Sequence, residues 1–82
     1  MIIVYAIYSL ENNRIYVGQT ENIEKRLKEH NSGQTRSTKP YIPWELFYQE
    51  HCENRADARL REIYLKHGIG KDKLKLLLQN KI

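Results

Sequence analysis

Apolar positions fall first into dense β-type runs and then into helical stripes. Ile2 to Leu10 is rich in Ile, Val and Tyr, which predicts a strand. Glu11-Asn12-Asn13 is a turn signal, because Asn tolerates the left-handed backbone of hairpin turns. Arg14 to Gln19 then reads as a second strand. A two- or four-residue loop centred on Asn12-Asn13 pairs Ser9 with Tyr16 and Ile7 with Gly18. Opposed residues share a face, and so do alternate residues along one strand. Tyr5, Ile7, Ser9, Tyr16 and Gly18 are therefore expected on one face, with Val4, Ala6, Tyr8, Ile15 and Val17 on the other. An odd loop without a bulge would separate the two tyrosines. Both faces are largely apolar, so each is expected to be covered.

The period then changes. Asn22 predicts an N-cap for a helix from Ile23 to Asn31, with Glu24 in its first turn and Gly33 just past its end. Ile23, Leu27 and His30 form the inward stripe, and Arg26 lies on the same side. Glu24, Lys25, Lys28 and Glu29 take the outer side, so Arg26 is misplaced for a solvated charge. His30 follows it by four, which makes the two side chains neighbours. Ser32 to Pro43 is a polar loop carrying Arg36, Lys39 and Tyr41, long enough in so small a chain to suggest function. Trp44 to Glu50 alternates, predicting a third strand with Trp44, Leu46 and Tyr48 on one face. Asn54 predicts a second cap, with Asp57 at the capping-box position, and a helix from Arg55 to His67. That helix has two apolar arcs: Leu60, Ile63, Tyr64 and His67 on one, Ala58 and Leu65 on the other, with Glu62 between. Pattern alone leaves open which arc meets the sheet. Gly68-Ile69-Gly70 is expected to break the chain before a short Lys- and Leu-rich helix from Lys71 to Asn80.

Composition narrows the class. Eighty-two residues, 40% hydrophobic and 29% charged, predict one folded α+β domain over residues 1–82, with no internal repeat or linker. The net charge of +4 suits a polyanionic partner but is common in small proteins. The lone Cys52 excludes a disulfide within the chain, and its neighbour His51 does not complete a zinc pattern. No apolar run approaches the ~18 residues of a membrane span. The apolar start has no basic n-region, so the cytoplasm is the expected compartment.

The chemistry that these polar residues offer is hydrolysis of a phosphodiester. That reaction needs a base near water, cations for the developing charge and a metal held by carboxylate. Tyr5 or Tyr16 is suited to orienting or deprotonating water, Arg26 to binding phosphate, and Glu62 to holding a hydrated Mg²⁺. Gly18 would let a phosphate or a helix approach the strand. A tyrosine that acts as a base must be acidified by a nearby cation or metal. Taken singly, each residue also has a structural reading. Strand tyrosines pack, inward arginines pair, a lone histidine sits satisfied, and Glu62 has Arg59 and Lys66 within reach. The combination is what points to a site.

That combination resembles the GIY-YIG nuclease domain in its small single-domain form, related to the nuclease domain of the excision-repair excinuclease C subunit. Ile3-Val4-Tyr5 matches the first motif in its tyrosine, and Tyr16-Val17-Gly18 matches the second almost intact. Arg26 and His30 follow within Asn22 to Asn31. Thr38-Lys39, Pro43-Trp44-Glu45-Leu46, and Ala58 with Arg61-Glu62 and Leu65-Lys66 fit the small-protein subgroup. The likeness spans residues 2 to about 70. It implies a three-stranded antiparallel sheet flanked by helices, and Mg²⁺- or Mn²⁺-dependent hydrolysis of DNA. Glu62 would be the metal ligand and Arg26 would contact the scissile phosphate. Tyr5, Tyr16 and His30 would surround the attacking water, with the 3′ oxygen as leaving group. Arg36, Lys39 and Lys66 are the expected DNA contacts. Two departures stand out: Ile3 replaces the first glycine, and Gln19 stands where some relatives have a lysine. Larger relatives in repair, homing and restriction add DNA-recognition domains. Here specificity is expected to be poor or to come from a partner protein. The rival readings are a non-catalytic nucleic-acid-binding module of the same fold, and a partner-binding protein using the Leu60-Ile63-Tyr64 arc and the Leu76-Leu77-Leu78 run.

Overall fold

Three strands, β1 (Ile2–Ser9), β2 (Ile15–Thr20) and β3 (Trp44–Cys52), form an antiparallel sheet in the order β2-β1-β3 in a computed structural model that describes residues 1–81. Helices α1 (Ile23–Asn31), α2 (Arg55–Lys66) and α3 (Gly68–Lys81) flank it, and one 3-10 turn (Lys39–Tyr41) interrupts the loop before β3. The α+β class and the sheet inferred from the sequence are both present. β1 lies in the middle, and every residue from Val4 to Ser9 is buried. That explains its apolar character on both faces. One face packs Val4, Ala6 and Val17 against Ala58, Leu65 and Leu74 of α2 and α3. The other packs Tyr5, Ile7 and Trp44 against Ile23 and Leu27 of α1 and against Tyr41 and Ile42.

The hairpin keeps its expected faces but slips by two residues. Tyr5 lies opposite Gly18 and Ile7 opposite Tyr16, so the loop is Leu10 to Asn13. The Ser9 N–H donates to the Arg14 carbonyl (2.9 Å), and the Asn13 N–H donates to the Ser9 carbonyl (2.8 Å). Asn13 takes the left-handed backbone (φ 60°), and the Asn12 side chain accepts from the Arg14 N–H. Asn12-Asn13 thus closes the loop instead of centring it. A slip of two preserves the side-chain alternation, whereas a slip of one would have reversed it.

β3 departs from simple alternation. Ala6 pairs with Tyr48 and Ile7 with Leu46, leaving Phe47 as an extra residue in a β-bulge. Trp44 and Leu46 therefore face α1, while Tyr48 turns with Phe47 toward α2 and α3. The expected common face for Trp44, Leu46 and Tyr48 is corrected by this bulge, and the strand runs on to Cys52.

Both expected caps form. The Asn22 side chain accepts from the Lys25 N–H, and the Asn54 side chain from the Asp57 N–H. The arc of α2 that meets the sheet is Ala58, Glu62 and Leu65, while Leu60, Ile63 and Tyr64 face outward. The helix ends at Lys66, one residue short of the expected end. Gly68 and Gly70 do not break the chain before α3 but begin it. Gly68 has φ +54°, and Gly70, Leu74 and Leu78 form the buried stripe. A Cβ on Gly70 would collide with the backbone carbonyl of Tyr64, which cannot rotate away. Gly70→Ala is expected to destabilise the protein by about 1–3 kcal/mol. A thermal melt checks this: each kcal/mol lowers Tm by about 4–8 °C in a domain of this size, and an unchanged Tm would contradict the close approach of α3 to α2.

Candidate active site

Four separate segments bring polar side chains to the α1 face of the sheet. β1 contributes Tyr5, β2 contributes Tyr16 and Gly18, α1 contributes Arg26 and His30, and the following loop contributes Thr38. α1 is tied down by Asn31, whose side-chain amide donates to the Trp44 carbonyl (3.0 Å) and accepts from the Trp44 N–H (2.6 Å). This pair of bonds fixes His30, one residue earlier, over the sheet.

The rings meet closely. Tyr16 and His30 have centroids 5.0 Å apart, Tyr5 and His30 5.8 Å, and Tyr5 and Tyr16 6.4 Å. The Tyr5 hydroxyl lies 2.7 Å from His30 Nε2, and His30 Nδ1 lies 2.9 Å from Thr38 Oγ1. Tyr5, His30 and Thr38 are almost wholly buried. A Cβ on Gly18 would sit 2.8 Å from the Tyr5 hydroxyl and 3.1 Å from Tyr16 Cε1, so the Tyr5 ring itself approaches the strand closely there.

Burial governs the protonation states. It pushes the Tyr5 hydroxyl up to about 12, although the nearby Arg26 guanidinium pulls the other way. It lowers His30 to about 4, helped by the nearby Arg26 charge. Both groups are therefore neutral at pH 7. The Arg26 guanidinium donates to Glu29 (3.0 Å) and to the Thr35 hydroxyl (3.2 Å). Burial alone would lower its pKa, but its bond to Glu29 and the nearby Tyr5 raise it, so the charge stays.

Glu62 comes from α2, and its link to this cluster is its charge, felt at Tyr5. Only 6% exposed, it does not point into bulk water. Its carboxylate accepts from the Gln19 amide (2.5 Å) and, more loosely, from Lys66 Nζ (3.5 Å). Its negative charge contributes to holding the Tyr5 proton on.

The sequence model of the GIY-YIG catalytic domain matches residues 1–75. The chain belongs to the GIY-YIG family. A UPF0213 protein of Clostridium perfringens is 36% identical over 77 residues, covering 93% of this chain and 83% of the relative. A UPF0213 protein of Syntrophus aciditrophicus is 38% identical over 78 residues, covering 90% of each. The solution NMR structure of a UPF0213 protein from Bacillus halodurans aligns over 96% of this chain and 85% of that one, with a TM-score of 0.54 and 25% identity. These matches place the chain among the small UPF0213 proteins with a nuclease-like GIY-YIG fold.

Within that fold, the structure gathers Tyr5, Tyr16, Gly18, Arg26 and His30, while Glu62 comes from α2 and meets β2 through Gln19. Arg36 and Lys39 lie exposed on the loop, outside the cluster. Lys66 is engaged with Glu62. The neutral Gln19 after the second GIY-YIG motif accepts from Arg55 (2.9 Å) while donating to Glu62, so a cation stands one side chain further out. Among the described residues, no three His, Cys, Asp or Glu side chains come together to hold a metal. A single hard carboxylate fits Mg²⁺, which keeps its waters and accepts substrate oxygens, and does not fit zinc. Lys66 is half-exposed and weakly held, so its displacement from Glu62 is easy. Sequence reasoning missed Thr38 as a site residue. Its one signal was membership of the Thr38-Lys39 pattern, which says nothing of a bond to His30. No helix among the described residues is long and apolar enough to cross a membrane.

Proposed function

We propose that this protein is a divalent-metal-dependent endonuclease that hydrolyses DNA phosphodiester bonds, acting as one domain over residues 1–82. The observation that carries the reading is a buried tyrosine–histidine pair with a charged guanidinium near it and the charge of a buried carboxylate, Glu62, felt at Tyr5. Burying such groups costs stability unless they are used or well paired. Arg26 binds the scissile phosphate and offsets its growing charge. Tyr16, half-buried at the rim, orients the attacking water with Tyr5 and His30 behind it. Water attacks phosphorus in line, the bond to the 3′ oxygen breaks, and that oxygen leaves. Glu62 would hold Mg²⁺ or Mn²⁺, which when bound acidifies nearby water and neutralises phosphate charge. Arg36, Lys39 and Lys66 contact the flanking DNA backbone, and a partner protein supplies target choice. The test is nicking of supercoiled plasmid, branched and single-stranded DNA. Cutting is expected with either metal and is expected to vanish on chelation; no cutting of any substrate with either metal overturns the proposal.

One observation favours a second reading, a DNA-binding module that does not cut. Both Glu62 oxygens already accept hydrogen bonds, one from Gln19 and one from Lys66. A pure binder would show salt-dependent DNA affinity and no Mn²⁺ binding at Glu62 by electron paramagnetic resonance.

A further inference from the structure

Thr38 is 1% exposed in a loop whose neighbours Ser37 and Lys39 are exposed. Three backbone bonds hold it. Its carbonyl accepts from the Trp44 indole N–H (2.9 Å) and the Tyr41 N–H (3.1 Å), and its own N–H donates to the Thr35 carbonyl (3.1 Å). Its hydroxyl oxygen lies between the Thr35 carbonyl (3.3 Å) and His30 Nδ1 (2.9 Å).

The bonding order follows from what each group owns. Among the described residues the buried Tyr5 hydroxyl meets no acceptor besides His30 Nε2, so its hydrogen goes there. The single hydroxyl hydrogen of Thr38 is left for the Thr35 carbonyl, which also accepts from the Thr38 and Lys39 N–H groups. Toward His30 the hydroxyl is then an acceptor, and Nδ1 must carry the hydrogen. A neutral imidazole has one N–H, so Nε2 is bare and faces the Tyr5 hydroxyl at 2.7 Å. Tyr5 therefore donates to His30. The other tautomer would take the Thr38 hydrogen from Thr35 and turn His30 into a donor toward Tyr5.

We propose that Thr38 is a positioning residue: it keeps His30 Nε2 bare toward Tyr5, so that the tyrosine can relay a proton from the attacking water to the histidine. This inference rests on the nuclease reading. As the water oxygen bonds to phosphorus, its proton passes to the Tyr5 oxygen while the Tyr5 proton moves to Nε2. The bond to the 3′ oxygen breaks, and that oxygen takes a proton from solvent. The imidazolium proton then returns through Tyr5 to solvent. His30 is neutral before the step because burial and Arg26 lower its pKa. The charged and titratable groups around it are Arg26 and Glu29 on α1, Tyr5 on β1, Tyr16 on β2 and, through Tyr5, Glu62 on α2.

Long-range ¹H–¹⁵N NMR of His30 tests the assignment, alongside nicking rates of the same samples. In the native protein, Nδ1 is expected to be protonated and Nε2 to show the shift of an unprotonated ring nitrogen. Thr38→Val, close in shape, is expected to shift the population toward the other tautomer and to slow nicking about 10²-fold. Thr38→Ser, which keeps the hydroxyl, is expected to retain both properties. A native His30 protonated at Nε2 would overturn the inference, as would a Thr38→Val spectrum unchanged from the native one. A native protein with the expected tautomer that cuts no DNA would instead overturn the nuclease reading.

Discussion

Glu62→Gln is expected to lower metal-dependent nicking by about 10²–10³-fold, and Arg26→Ala by a similar factor, the usual cost of removing a group aimed at developing charge. The two losses have different origins. Glutamine keeps the size of the side chain and one acceptor oxygen, which can stay with the Gln19 amide while the half-exposed Lys66 turns to solvent, so the fold around α2 is preserved. What disappears is the negative charge. Mn²⁺ affinity, read by electron paramagnetic resonance, should therefore fall in Glu62→Gln and stay unchanged in Arg26→Ala. Arg26 is bonded to Glu29 and Thr35 at the edge of the cluster, so its loss leaves a partly exposed carboxylate that water can satisfy. Its effect should appear as weaker engagement of the phosphate. Single-turnover nicking separates the effects from product release. Wild-type cutting by Glu62→Gln would remove the carboxylate from the chemistry.

The site was legible in the sequence where period and chemistry agreed, and hidden where one side chain answered another across the fold. Tyr5 and Tyr16 share a face because alternation survives a slip of two in the register, so an incorrectly centred turn still gave the correct side. Arg26 and His30 were visible as polar residues on an inward stripe. Tyr48 was misplaced because nothing in its own neighbourhood announces that Phe47 is extra; a bulge is a property of the pairing with β1. The inward arc of α2 was undecidable because its outward arc, with Leu60 and Ile63, is the more apolar. The structure instead buries the small Ala58 and the charged Glu62, and a carboxylate is buried there because Gln19 and Lys66 meet it. Gly70 reads as a breaker until Tyr64 is seen against it. Thr38 was unreadable for the same reason: its value lies in a partner eight residues away and a cavity made by three other elements.

Stability should peak between about pH 6.5 and 10 and fall on both sides, and the burial of one pair, Tyr5 and His30, sets much of each limb. His30 is held neutral, its pKa lowered from 6.5 to about 4 chiefly by burial. The unfolded chain therefore binds a proton at His30 that the folded chain refuses, and stability is lost as pH falls from 6.5 through about 4. At about 1.4 kcal/mol per pH unit this amounts to roughly 3 kcal/mol, a large part of the ~5–15 kcal/mol that a domain has. Tyr5 works in the opposite sense. Burial raises it from 10 to about 12, so the unfolded chain releases a proton that the folded chain keeps, and stability is lost as pH rises from 10 toward 12. Glu50, lowered by its bonds from Arg61, steepens the acid limb below 4.5, and Tyr48, raised by burial, steepens the alkaline one. Urea unfolding across this range separates the contributions. His30→Gln should flatten the slope between pH 6.5 and 4.5 and leave the alkaline limb in place; Tyr5→Phe should flatten the slope above 10 and leave the acid limb. An acid slope unchanged in His30→Gln would mean that the imidazole is already solvated. A dry contact between Tyr5 and His30 would then be untenable, and so would any proton relay between them.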